Sequence, residues 1–305
     1  MKQTANPDIK SNNIIVLSDR ISARKGQKKG GQPERFKKHP RIISVTSGKG
    51  GVGKSNIVAN VGFLLSRMGK KVLILDADLG LGNLDVLLGL TPKYNLSHAV
   101  SGTRSISEIA LTGPGGIVIL PASSGIEEMA DLTADQKAVF LSSIDPIMND
   151  VDVLLIDTGA GISSNVMYFN SNAREIVVVV TPEPTSITDA YALMKILSLK
   201  HSQTRFKLAV NLAKSRKEAE DVYQQIKLVA DRFLNITIEY MGFVLSDQQL
   251  REGVRRQKII SEMKPDAAAS RCFKQLAKRL LDTPPPEQPG KRRQSHWRDL
   301  FESSS

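Results

Sequence analysis

From Arg41 onward, short continuous apolar runs recur along the chain: Ile42–Val45, Val72–Leu75, Ile117–Leu120, Val153–Ile156, Ile176–Val180, Leu208–Val210 and Ile236–Val244. Between them, apolar residues return at three- and four-residue steps near 54–68, 135–149, 186–201, 215–233 and 247–256. A last such stretch, Asp266–Leu281, carries Ala269, Cys272, Phe273, Leu276 and Leu280 on one side, a pattern best read as core packing. A run that is apolar at every position predicts a strand covered on both faces, and the helical period predicts an amphipathic helix. Their alternation predicts an α/β fold: a mostly parallel, doubly wound sheet with helices on both faces.

The flanks differ. Residues 1–40 have few apolar positions and a Lys/Arg/Gly/Gln-rich middle, which predicts a mostly disordered basic extension. The folded domain is expected over 41–282, since Thr283-Pro284-Pro285-Pro286 cannot continue a helix. In the 283–305 tail, Lys291-Arg292-Arg293 precedes Trp297, Leu300 and Phe301, which share one face of a helical turn. An apolar tip beside a basic cluster suits a short interfacial membrane anchor.

Charge sharpens this division. Of the net +11, residues 1–41 hold +8, from eleven basic and three acidic side chains. The rest is close to balanced, so a nucleic-acid partner is open to the N-terminal extension but not favoured for the protein as a whole. The extension otherwise suits an acidic protein or anionic lipid. One cysteine, Cys272, excludes an intramolecular disulfide and a cysteine metal cage and fits a reducing, cytoplasmic setting. No apolar run reaches the ~20 residues of a membrane span, and Ile14–Leu17 is too short for a signal peptide's apolar region.

The candidate chemistry begins at Gly48-Lys49-Gly50-Gly51-Val52-Gly53-Lys54-Ser55, between the first predicted strand and the first predicted helix. Strand, glycine loop and helix are the context of a phosphate-binding loop: backbone amides turn inward on the phosphates at the positive end of the helix. Lys54 would reach the β- and γ-phosphates, and Ser55 would offer its hydroxyl to Mg²⁺. Lys49 is an additional lysine within the loop. The second strand ends in Asp76-Ala77-Asp78, placing two carboxylates on one side of a parallel strand where ligands bind. One can orient water near the γ-phosphate; the other can support the metal or the loop. The run Leu154-Leu155-Ile156-Asp157 ends a third strand in an acid suited to holding Mg²⁺ through water. No Asn-Lys-x-Asp guanine motif is present, which favours ATP over GTP.

Lys49 with Gly50-Gly51 and Lys54 resembles the deviant Walker A motif KGGxGK[ST] of the MinD/ParA ATPases, a resemblance spanning roughly 41–281. Asp76–Leu90 resembles the MinD branch. Ser47–Asn56, Asp157–Ile162, Thr181–Lys195 and Val210–Ala219 together are most similar to the FlhG (FleN, YlxH) subfamily of flagellar regulators. The resemblance implies that two protomers sandwich two ATP molecules, with Lys49 reaching across to the partner's phosphates. Lys54 and the loop amides would hold phosphates in cis, Ser55 would ligate Mg²⁺, Asp78 would position the attacking water, and Asp76 and Asp157 would support the metal. Asn211 would contact adenine, and the Val244–Asp247 loop, with Asp247, would complete the base pocket. It further implies an ATP-bound homodimer, flagellar partners (an FlhF-like GTPase, a switch complex or a transcription factor) and a place at the inner face of the membrane.

Two features depart from the family. Leu17–Ala23 lacks the Gln-Ala that follows Asp in the N-terminal helix by which some relatives stimulate FlhF, and the C-terminal amphipathic turn is shorter than a MinD membrane helix. The alternatives are a ParA-like DNA-partitioning ATPase, which the residues after Asp78 oppose, and a MinD-type septum regulator, which the long N-terminal extension opposes. Metal-cluster carriers need cysteine pairs that a chain with Cys272 alone does not have.

Overall fold

In the computed structural model, residues 40–78, 82–122 and 133–284 are described. The expected N-terminal extension, the Leu79–Leu81 part of the acidic loop, and nearly all of the C-terminal tail, Trp297, Leu300 and Phe301 included, lie outside the described residues. In chain order the larger elements are β1 (Arg41–Ser47), α1 (Lys54–Arg67) and β2 (Val72–Ala77), then three short helices, α2 (Leu84–Leu87), α3 (Leu96–Val100) and α4 (Ile106–Ile109). Next come β3 (Leu111–Thr112), β4 (Val118–Leu120), α5 (Ala134–Met148), β5 (Val153–Ala160), α6 (Ser164–Asn172), β6 (Glu175–Val180), α7 (Pro184–His201) and β7 (Arg205–Ala213). The last are α8 (Arg216–Phe233), β8 (Thr237–Leu245), α9 (Gln248–Arg255), α10 (Ile260–Met263) and α11 (Ala268–Asp282).

Eight strands form one sheet in the order β3-β4-β2-β5-β1-β6-β7-β8. Every pairing is parallel except β3 with β4, which closes one edge. β1, β2, β5 and β6 are buried along almost their whole length, as continuous apolar runs require. Alternate residues serve the two faces. Ile43, Val45, Ile74 and Leu155 pack under α1, α10 and α11, while Leu73, Leu75, Leu154 and Ile156 pack under α3–α6. Val178, Val180, Leu208 and Val210 pack under α7 and α8. The chain winds to one side of β1 through β2–β5 and to the other through β6–β8, so the loop after β1 lies where the strand order reverses. In an open parallel sheet that reversal opens the crevice ligands enter.

The predicted doubly wound sheet is therefore observed. The sequence pattern missed α6, whose nine residues SNVMYFNSN mix polar and apolar positions without a clear period, and the four- and five-residue helices, which are too short to show one.

At the end of the sheet opposite the crevice, Glu175 opens β6 with its side chain fully buried. Both its oxygens receive the Arg41 guanidinium, and the Lys207 ammonium lies 3.5 Å away and reaches Glu239 at 2.9 Å. Arg41 also donates to the Leu280 carbonyl, tying the end of α11 to the start of β1. A buried anion serving two cations is costly to remove, because each cation is left without its partner in a poorly solvated place. Glu175→Gln is expected to lower unfolding free energy by about 3–5 kcal/mol, read as a lower urea midpoint with an unchanged slope. An unchanged midpoint would show that the cluster is dispensable.

Candidate nucleotide site

The loop after β1 is shaped by close approaches. A Cβ on Gly48 would sit 2.2 Å from the Asp189 carbonyl oxygen on α7, so no side chain fits there. Gly53 caps α1 at φ 89°, a left-handed conformation that side chains resist, and a Cβ there would meet Asn211 Nδ2 at 2.3 Å. The first hydrogen bond of the α1 turn runs from the Ile57 amide to the Gly53 carbonyl. The preceding amides of Lys54, Ser55 and Asn56 thus stand at the positive helix end with no partner inside the helix, as an anion site requires. Lys54 is buried and Ser55 half-buried.

Three acids at the ends of two strands meet this loop. Asp76 of β2 and Asp157 of β5 are register partners on adjacent parallel strands. Burial first, then the Asp157 charge, pushes the Asp76 carboxyl up to about 8, against the pull of the Leu84 and Asp78 amides. Those amides donate to Asp76 Oδ2 at 3.3 Å and Oδ1 at 3.2 Å, so Asp76 grips both ends of the loop that leads into α2. Burial raises Asp157 to about 6, while the Ser55 hydroxyl bonded to it and the Lys54 charge hold it down. Asp157 Oδ1 is buried with no hydrogen-bond partner. Asp78 is half-buried, and its Oδ1 lies 3.4 Å from where a Gly159 Cβ would be, which puts this carboxylate beside the loop after Asp157.

This donor set fits Mg²⁺ bound together with phosphates. Ser55 and Asp157 are hydrogen-bonded, Asp157 has an unused buried oxygen, and three carboxylates share the place with Lys54. Among the described residues no three His, Cys, Asp or Glu side chains form a metal cage by themselves.

Asn211 ends an apolar part of β7 next to Leu212, whose φ is 58°. Its Nδ2 donates to the Val52 carbonyl at 2.7 Å, and its Oδ1 is buried without a partner. An unused acceptor beside the phosphate loop fits the exocyclic amino group of adenine. The Asp247 side chain is engaged within the fold. Its Oδ1 accepts from Gln249 N at 2.8 Å and its Oδ2 from Ala269 N at 3.0 Å, so the carboxylate caps α9 and α11. What this residue offers a base pocket is backbone, through a loop joined to β7 by the Ser246 amide and the Ala213 carbonyl at 2.8 Å.

Lys49 is turned onto its own chain. Its Nζ lies 2.9 Å from Glu183 Oε2 and 3.0 Å from Thr185 Oγ1, at the start of α7. Glu183 and Thr185 were not identified as site residues from the sequence. They lie some 135 positions from Lys49, and only the fold joins them; the Pro184 between them marks a helix start and nothing more. The pair is exposed at 39% and 60%, and such surface ion pairs contribute about 0–1 kcal/mol. Lys49 can therefore exchange this contact for a stronger anion at little cost. Asn170, also missed, ties α6 to β1 beneath the loop through Ser44 Oγ at 2.8 Å and Thr46 Oγ1 at 3.0 Å.

The raised acids give the free protein a pH signature. A carboxyl whose folded value lies above its unfolded one favours folding fully below about 4 and loses that favour as pH rises through its folded value. The nucleotide-free chain is thus expected to lose thermal stability between pH 5 and pH 8, and Asp76→Asn to flatten the slope. A wild-type melting temperature flat across that window would contradict the arrangement.

Comparison with known proteins places this geometry. The family described as a NUBPL iron-transfer P-loop NTPase (ParA) matches residues 38–281. Antiactivator FleN of Pseudomonas aeruginosa is 42% identical over 82% of this chain and 90% of its own length. The flagellum site-determining protein YlxH of Helicobacter pylori is 34% identical over 80% of this chain and 83% of its own. Among solved structures, the MinC:MinD cell division complex of Aquifex aeolicus is similar at TM-score 0.63 and 28% identity, covering 81% of this chain and 98% of that one. The chain belongs to the ParA/MinD family of P-loop NTPases, in its FleN/YlxH (FlhG) branch.

Proposed function

We propose that the chain is an ATP-hydrolysing, dimerising switch that sets flagellar number and placement. The observation that carries this reading is the convergence of Asp76, Asp78 and Asp157 on a phosphate loop whose extra lysine is held only by a weak surface contact. The FleN/YlxH branch to which the chain belongs supports the flagellar part, since the relative from Helicobacter pylori at 34% identity is a flagellum site-determining protein.

The roles follow from position. Lys54 and the amides at the start of α1 bind the phosphates, and Asn211 Oδ1 accepts from the adenine amino group. Ser55 and Asp157 would hold Mg²⁺, with Asp76 keeping the neighbouring loop in place. The ion, when bound, neutralises charge on the transferring phosphoryl group. Asp78, the least buried of the three carboxylates, is left to orient the attacking water and accept its proton. Lys49 leaves Glu183 and reaches the phosphates of a second copy, so an ATP-bound homodimer completes each site. ATP binding then joins the protomers and hydrolysis releases them, a two-state element that flagellar partners can read: an FlhF-like GTPase, a switch complex or a transcription factor. No described helix is long and apolar enough to cross a membrane. The protein works in the cytoplasm, with the 283–305 tail making a peripheral contact at the inner face of the membrane.

Asp78→Ala is expected to retain ATP binding and a lasting dimer while hydrolysis falls by about 100-fold or more. Loss of ATP binding and of the dimer would overturn the role given to Asp78. Deleting the gene in its host is expected to change the number of flagella per cell. An unchanged count with displaced division septa would overturn the flagellar reading in favour of septum placement.

A further inference from the structure

The net charge of the folded part is unevenly placed. Residues 248–282, which form α9–α11, contain nine Lys/Arg against four Asp/Glu. On α11, Arg271, Lys274, Lys278 and Arg279 are all exposed and share the side turned away from the core residues Cys272, Phe273, Leu276 and Leu280. On α9, Arg251 and Arg255 are exposed one turn apart. None of these six pairs with a carboxylate among the described residues, because Glu252, the acid on α9, is taken by Arg256 at 2.6 Å and Lys264 at 3.8 Å. Exposed acids nearby are Glu262, Asp266 and Asp282.

A groove of about 570 Å³ opens in this side of the molecule, along the outer edge of β8 between α8 and α11. Arg216, Lys278 and Arg279 stand in its walls with Tyr240 and Gln275; of its two acids, Glu220 is paired with Arg216 at 2.7 Å and Asp282 ends α11. An edge strand would ordinarily invite a peptide strand. Here the outward carbonyls of Ile238 and Tyr240 are already met by the Tyr223 hydroxyl and the Arg279 guanidinium, each at 3.0 Å, so this part of the edge is closed to strand addition. What the surface offers a partner is cationic charge.

We propose that the α9–α11 side and the β8 groove form a docking face for the anionic headgroups of a lipid bilayer. Two observations select lipid. The face is cationic and largely free of internal partners. The chain also leaves α11 at the groove itself, where Asp282 and Thr283 form part of the wall, and continues into a segment carrying Lys291-Arg292-Arg293 and the apolar Trp297, Leu300 and Phe301. Cations on the body and apolar side chains on the following segment match the two layers of a membrane interface. This inference rests on the membrane reading of the tail and adds a second, independent contact. A short anchor binds weakly alone, and a basic body surface strengthens the same contact without new apolar area.

The test is co-sedimentation of the full chain with phosphatidylcholine vesicles, with or without phosphatidylglycerol, across a salt series. It compares wild type, Arg271→Gln/Lys274→Gln/Lys278→Gln, and a chain lacking 291–305. Wild type is expected to favour the phosphatidylglycerol vesicles and to lose that preference with salt. The triple variant, tail intact, is expected to bind them at least about tenfold more weakly, with unchanged ATPase activity and melting temperature. Lys274→Arg/Lys278→Arg should bind as wild type does. Equal binding of the triple variant and wild type would overturn the proposal. So would a triple variant that loses retention of duplex DNA while keeping its vesicles, which would make nucleic acid the occupant. Loss of binding only in the tail-less chain would leave the tail reading standing and remove the face; loss only in the triple variant would do the reverse.

Discussion

Asp76 and Asp157 end adjacent parallel strands in register, so the sheet itself forces two carboxylates together in a buried place. Neither is well solvated, and each raises the cost of ionising the cluster. The rest of the site is arranged around that excess of negative charge. Lys54 and the Ser55 hydroxyl face Asp157 from the start of α1. The amides of Asp78 and Leu84 close on Asp76 and thereby fix the two ends of the loop between β2 and α2. A divalent cation bound with phosphates relieves the same crowding, so affinity for the metal–nucleotide pair and the conformation of this loop are set by one electrostatic problem.

The second element is a cation held loosely. The phosphate loop is closely packed where Gly48 meets Asp189 and where Gly53 meets Asn211, yet Lys49 between them rests on exposed groups at the head of α7. A closely packed loop with one exposed lysine suits a site that is finished from outside. In the proposed dimer, phosphates of a second protomer would offer Lys49 a denser negative target than Glu183. At the opposite end of the sheet, the Glu175 cluster fastens the end of α11 to the start of β1.

Much of this was legible in the sequence because the informative features are local. Seven apolar runs marked seven strands, and the helical period marked α1, α5, α7, α8, α9 and α11 to within two residues. Gly48–Ser55, Asp76, Asp78 and Asp157 were legible because strand ends in a parallel sheet point to one crevice. What was not legible depends on contacts between distant positions. Glu175 carries no local mark in the sequence of its burial under Arg41 and Lys207. Glu183 and Thr185 became site residues only when α7 met the phosphate loop, and Asp247 became a helix cap only when α11 returned to α9. β3 has two residues and pairs antiparallel, below the length at which alternation carries a signal.

In the proposed switch, a second copy of the chain completes each site through Lys49. The most direct measurement is ATP turnover per protomer as a function of protein concentration, from well below to well above the dimerisation range. Turnover is expected to rise with concentration to a plateau, with the half-rise matching the dimer dissociation constant obtained by sedimentation in ATP. A constant turnover per protomer from the most dilute sample onward, with the chain monomeric throughout, would contradict it.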